Sequence, residues 1–204
     1  VSHLLEQGFP RGSIRHEIPM DTSSSGGRAD IVLLAQERII GLELKSGKDT
    51  LDRCDTQAHT YSMAFDSKIL VADRRHLTRD NINFKAPTGW VNFICYSAAE
   101  GLTLDYGGAC QLLIRASQFP SRSTSAFRMA SLLWQVEATN AAAKSSLHCS
   151  TRTKAIRSLA EHVPLHALRK LVLAELRERP LNKWEIAFWT RFDGEPTPPC
   201  TDTR

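Results

Sequence analysis

"RADIVLLAQERIIGLELKSGKDTL" spans residues 28–51. It contains two apolar runs, RADIVLL (28–34) and RIIGLELK (38–45), separated by the short polar AQE. Both have the length and composition of strands, and so short a connection predicts an antiparallel hairpin. Each run carries charge where a strand is normally apolar: Asp30 in the first, Glu43 and Lys45 in the second. Residues two apart in a strand share a face. Glu43 and Lys45 therefore point one way while Ile40, Leu42 and Leu44 point the other, and Asp30 shares its face with Val32 and Leu34. Pairing of the two strands lets Asp30, Glu43 and Lys45 converge on one patch of sheet. A half-exposed strand with Glu and Lys in solvent would show the same alternation, so the surrounding residues must decide.

Downstream the period changes. Leu51, Cys54, Ala58, Tyr61 and Phe65 recur at three- and four-residue steps, the mark of an amphipathic helix, with Asp49 or Thr50 as its N-cap. That helix presents Gln57 and Tyr61, four apart, on one face. Upstream, SIRHEIPM (13–20) reads as a first strand and DTSSSGG (21–27) as a loop. SKILVAD (67–73) and GWVNFICYS (89–97) read as two more strands. The order strand, strand, strand, helix, strand, strand indicates an α/β core with a mixed sheet over residues 1–97.

Beyond that the texture becomes helical. GLTLDYGGACQLLIRAS (101–117) reads as two short strands around Gly107 and Gly108. SAFRMASLLWQVEATNAAA (125–143), TRTKAIRSLAEHV (151–163) and PLHALRKLVLAELRER (164–179) read as helices, with Pro164 in the first turn of the last. Leu133 and Trp134 predict core packing. Residues 98–195 are thus expected to form a mainly helical extension packed on or beside the core. Residues 196–204 are expected to be a flexible tail.

Composition narrows the function. With 42% hydrophobic and 24% charged residues the chain has an ordinary globular make-up. No stretch approaches the roughly 20 apolar residues of a membrane helix, and VSHLLEQGFP lacks the order of a secretory signal. No G-x-x-x-x-G-K-[ST] loop is present, which argues against an intrinsic ATPase. Five scattered cysteines without C-x-x-C spacing predict reduced thiols and a cytoplasmic location. The net charge is only +4, yet residues 115–170 hold nine Lys/Arg and two acids while residues 1–97 are balanced. This excess is either a modest basic surface or the footprint of a polyanion, with Arg152, Lys154 and Arg157 as candidate phosphate contacts. His162 and His166 are four apart but straddle Pro164 without a third ligand, and His148 beside Cys149 implies no nucleophile–base geometry.

Phosphodiester hydrolysis is the chemistry that needs the Asp30, Glu43 and Lys45 set. Two carboxylates supply hard oxygen ligands for Mg²⁺ (or Mn²⁺), which binds through one or two carboxylates, waters and substrate phosphate. A cation also removes the repulsion between two acids on one sheet patch. A lysine beside it can orient or deprotonate the attacking water, or stabilise charge on the phosphate. The carbonyl of Leu44 becomes a further ligand if the strand edge is open. Arg28 and Lys48 flank the set as candidate phosphate contacts.

The ordered residues Asp30, Glu43-Leu44-Lys45, Gln57 and Tyr61 resemble the D…(D/E)-x-K…Q-x-x-x-Y pattern of the PD-(D/E)XK nuclease superfamily, in its RecB-like branch. The stretch RADI…ELKSGKDTL, together with LLWQVE at 132–137, is most similar to a largely uncharacterised bacterial family sharing both runs. The resemblance covers most of the chain. It implies a restriction-endonuclease-like sheet flanked by helices and a metal-dependent deoxyribonuclease acting on DNA. In that role Asp30 and Glu43 bind metal, Lys45 serves the attacking water, Gln57 positions Lys45 or the phosphate, and Tyr61 supports that face. Many members carry a further acid on a helix before the first strand; Glu6 and Glu17 are the candidates here. Two alternatives stay open: a non-cleaving module that binds nucleic acid or protein on the same fold, and an RNA-directed nuclease. The helical extension is a candidate surface for a second copy or a protein partner.

Overall fold

The computed structural model describes residues 1–6, 8–20, 27–73, 76, 90, 92–96 and 124–193. All but Gly27 of the expected loop over 21–27, the two strands around Gly107-Gly108 and the tail 196–204 lie outside the described residues. Five strands form one mixed sheet in the order β1 (Ile14–Pro19), β2 (Arg28–Leu34), β3 (Ile39–Lys45), β4 (Ser67–Asp73) and β5 (Asn92–Tyr96). The hairpin read from residues 28–45 is antiparallel, with Val32 opposite Gly41 and Leu34 opposite Ile39. β1 adds antiparallel to β2, whereas β4 and β5 run parallel to β3. A parallel neighbour requires a crossover, and helix α2 (Cys54–Ala64) supplies it between β3 and β4. α2 starts later than expected. Asp49 does not cap it, because its carboxylate accepts the Ser46 N–H and hydroxyl, both at 2.7 Å, and closes the turn that ends β3. Arg53 stands at the N-cap without a side-chain bond, and Asp55 supplies the acid of the first turn.

Period-two patterning divides the sheet. Val32, Leu34, Ile39, Leu70 and Ala72 face Tyr61 and Phe65 of the α2 segment and share one apolar cluster with the helical half. That half comprises α3 (Ala126–Ala130), α4 (Gln135–Lys144), α5 (Arg152–His162) and α6 (Leu165–Glu178). Ile31, Leu33, Ile40, Leu42, Ile69 and Val71 form the other face, covered by Leu4 of α1 (Ser2–Glu6) and Trp189 of α7 (Lys183–Phe192). Helices therefore flank both faces of an α/β sheet, and one continuous core joins it to the helical half. Gly41 is the close-approach point: a Cβ there would stand 2.7 Å from the Tyr61 ring, with Phe65 closer still. Only glycine lets α2 come down onto β3 at this position.

The helix expected over 125–143 is two helices with a break at residues 131–134. The break is held by arginines. Arg152 donates to the carbonyls of Leu133 and Ser131 at 2.7 Å each, and Arg179 donates to that of Leu132 at 2.8 Å. Carbonyls released by a helix break need such partners. Glu137 returns to the Trp134 N–H at 2.7 Å and pairs with buried Arg179. Leu132 and Leu133 are buried, but Trp134 is 41% exposed and lies under the Arg179 guanidinium, 4.4 Å from ring centroid. The LLWQVE stretch is thus a helix start locked to the C-terminal end of α6, and Trp134 is a platform under an arginine where core packing is expected from the sequence. Pro164 sits at the N-cap of α6, just ahead of its first turn. Helix α7 had no counterpart in the sequence reading. Its signal is the spacing Asn182-x-x-Glu185, a capping box in which Asn182 accepts from the Glu185 N–H and Glu185 from the Asn182 N–H.

Candidate active site

The site lies where the hairpin opens. β2 and β3 pair only as far as Ile31 opposite Leu42, while β3 continues against β4 to Lys45 opposite Ala72. Residues 43–45 are therefore paired on one edge only. The Asp30 carboxylate fills the gap on the other edge and accepts the Leu44 N–H at 2.7 Å. The N–H and C=O of one extended residue face the same strand edge, so the Leu44 carbonyl faces the gap as well. The same end of β2 is irregular on its far side. Glu17, opposite Asp30 in the β1–β2 register, has φ of 55°, a left-handed conformation uncommon for a non-glycine residue. Across it the alternation flips: Ile14 belongs to the α1/α7 face, Ile18 and Met20 to the α2 face.

Glu43 is the hub. Its Oε1 accepts from Lys45 Nζ at 2.6 Å and from Gln57 Nε2 at 2.5 Å, and its Oε2 accepts from the Tyr61 hydroxyl at 2.7 Å. Glu43 is only 3% exposed, and its carboxylate is fixed in one rotamer by three donors from two elements. The helical spacing of Gln57 and Tyr61 makes this possible, since both reach the same point on β3 from one face of α2. Gly41 allows the approach. Gln57 Oε1 is buried without a hydrogen-bond partner among the described residues.

The electrostatics follow from burial. Desolvation raises the Asp30 carboxyl to about 6, with the charges of Glu43 and Glu17 adding to the rise and the Leu44 N–H and Lys45 opposing it. Burial and then the Glu43 carboxylate push the Tyr61 phenol well above its ordinary value, so it is a permanent donor. Burial also raises the Cys54 thiol, which is free and lies at the start of α2.

Asp30, Glu43, Leu44, Lys45 and Gln57 line one cleft of about 860 Å³ with Glu17, Arg28 and Arg53. Tyr61 supports this wall from behind, fully buried. Glu17 reaches the rim and pairs loosely with Arg28 at 3.8 Å, while Glu6 is exposed on α1 and does not line the cleft. Lys48 is exposed in the turn after β3. Lys154 and Arg157 are exposed on α5, but Arg152 is turned inward onto the helix break. Where a phosphate contact was expected of Arg152, its guanidinium donates to the backbone carbonyls of Leu133 and Ser131.

One wall of the cleft escaped the reading of the sequence. His16 of β1 and Phe188 and Phe192 of α7 line it. His16 was hidden inside an unremarkable strand, and the aromatics follow the overlooked Asn182–Glu185 capping signal.

Two carboxylates and a carbonyl are an all-oxygen donor set suited to a hard divalent cation. A cation there would offset both the desolvation and the Glu43 charge that raise the Asp30 carboxyl. Among the described residues no group of three or more His, Cys, Asp or Glu is arranged around a metal position. No described helix is long and apolar enough to cross a membrane.

No curated protein and no solved structure matches the chain. The family model described as bacteriophage P4 protein cII matches residues 1–197. The chain belongs to the bacteriophage P4 protein cII family.

Proposed function

We propose that this protein is a metal-dependent phosphodiesterase acting on DNA, with a PD-(D/E)XK type of site on a restriction-endonuclease-like core. The observation that carries the reading is the gripped Glu43 carboxylate beside Asp30 and Lys45 at the open edge of β3. A structural ion pair does not need a second acid held in the same cleft against its desolvation.

Asp30, Glu43 and the Leu44 carbonyl would hold Mg²⁺ or Mn²⁺. When bound, that ion supplies positive charge to offset the two acids and the charge developing on the phosphate. The chain's own residues do the rest. Gln57 and Tyr61 hold Glu43 in place, so its geometry does not relax when substrate enters. Lys45, tethered to Glu43 Oε1, places an ammonium at the cleft wall. There it orients the attacking water or balances negative charge on the phosphate oxygens. Asp30 contributes only when ionised, and its carboxyl is raised to about 6 in the metal-free protein, so protons compete with the cation and Mg²⁺ should bind less tightly below that pH. Arg28 at the rim adds a cation for the neighbouring phosphate.

The test is cleavage of plasmid, single-stranded DNA and RNA by purified protein with Mg²⁺ or Mn²⁺ against EDTA. Cleavage abolished in Lys45→Ala supports the reading. A Lys45→Ala protein as active as wild type excludes this site. Degradation of RNA with DNA spared would redirect the substrate.

A further inference from the structure

The cleft has an aromatic wall that the hydrolytic chemistry does not use. It is built from the N-terminus of α7. Glu185, fully buried, accepts the Asn182 N–H at 2.8 Å and the His16 N–H at 3.0 Å, and pairs with Arg15 at 3.2 Å. This clamps α7 to β1. Phe188 and Phe192 follow Glu185 at three and seven residues, so they stand in one row on the same helix face. His16 lies against Phe188 with centroids 4.3 Å apart, and Phe188 is stacked on Phe192 at 6.0 Å and 24°. The Arg11 guanidinium lies over Trp189 and Phe192, held by Asp193.

Two features of this row point to a ligand. Phe192 is 39% exposed in a cleft whose lining is largely charged, and His16 is nine-tenths buried with Nε2 unpartnered among the described residues. A row of ring faces beside an unused polar nitrogen matches a group with a π-face and a hydrogen-bonding edge. We infer that His16, Phe188 and Phe192 form a subsite for an unpaired nucleobase next to the reactive phosphate. The substrate is then single-stranded DNA, or a frayed end. This rests on the hydrolytic reading of the same cleft. An intact duplex keeps its bases stacked internally and offers no π-face to a side wall, whereas sequence-tolerant binding of single strands uses such aromatic platforms.

Fluorescence anisotropy in EDTA tests it with a short labelled single strand, the same strand carrying abasic sites, and the blunt duplex. Wild type should bind the base-bearing strand most tightly. Phe188→Leu/Phe192→Leu should weaken that binding roughly 5- to 100-fold, the range for one stacked base, and erase the difference from the abasic strand. Phe192→Tyr, which keeps a ring at this position, should retain the base-against-abasic discrimination that Phe192→Leu loses. If the double variant does not fold, Phe192→Leu alone carries the test. Equal wild-type affinity for base-bearing and abasic strands overturns the subsite, as does undiminished discrimination in the Leu variants. Equal affinity together with Lys45-dependent cleavage removes the subsite and leaves the hydrolase. Discrimination without Mg²⁺-dependent cleavage keeps the subsite and removes the hydrolase.

Discussion

Replacing Asp30 by Asn should make the metal-free protein more stable. The Asp30 carboxyl rises from 3.8 to about 6 on folding, and one pKa unit is about 1.4 kcal/mol. Asp30 is only partly buried, so solvent screening discounts that shift, and the ionised carboxylate destabilises the native state by about 1–2 kcal/mol at pH 7.5. Between pH 4 and 6 the unfolded chain has released this proton and the native protein keeps it. Stability contributed by the neutral carboxyl is thus present below about 4 and disappears as pH rises through 6. Asn stays neutral throughout, and its Oδ1 still accepts the Leu44 N–H. For a chain of this length, about 1–2 kcal/mol corresponds to roughly 2–8 °C in Tm. Thermal melts of Asp30→Asn and wild type in EDTA should diverge by up to that amount at pH 7.5 and converge at pH 4. Mg²⁺ should then raise the Tm of wild type by mass action and leave the variant unmoved. An Asp30→Asn protein no more stable than wild type at pH 7.5 would refute the argument that the carboxylate is held ionised against its preference.

Gly41→Ala should cost about 1–3 kcal/mol or more through overpacking against Tyr61 and Phe65, and should lower activity by displacing Tyr61 from Glu43; denaturant melts and cleavage rates measure the two effects. Tyr61→Phe and Gln57→Ala should each reduce cleavage about 10- to 100-fold, the range for groups that orient a ligand, and by less than any change at Asp30, Glu43 or Lys45. Arg152→Ala should lower stability by about 1–3 kcal/mol by leaving the Ser131 and Leu133 carbonyls unpaired. Lys154→Ala/Arg157→Ala should fold normally, and removal of each phosphate-neutralising cation should reduce the slope of log affinity against log salt by about 0.7 on single strands. An unchanged slope would reduce those two residues to a solvated helix face.

The strands and the charged trio were legible because period-two alternation and hairpin spacing are local signals. Charge interrupting an otherwise apolar strand marks residues 30, 43 and 45 without knowledge of what surrounds them. The four-residue step from Gln57 to Tyr61 likewise settles that both meet one point of the sheet. What the alternation concealed was set by long-range partners. Arg152 resembles any basic residue on a polar helix face, and only the broken helix at 131–134 turns it inward. Trp134 reads as core until Arg179, 45 positions later, lies across it. The flip at Glu17 leaves no trace in SIRHEIPM, because a left-handed glutamate needs tertiary support to persist. The aromatic wall depends on Glu185 reaching β1, an interaction between residues at opposite ends of the chain.

The most direct measurement is the rate of DNA cleavage by the purified protein in Mg²⁺, run beside Asp30→Ala, Glu43→Ala, Lys45→Ala and the triple variant. Wild type should cleave, and EDTA should abolish the activity. Each single variant should fall nearly as far as the triple, because residues acting as a unit fail together. Cleavage by Lys45→Ala at the wild-type rate, or additive losses across the three positions, would contradict the assignment of this cleft as the catalytic centre.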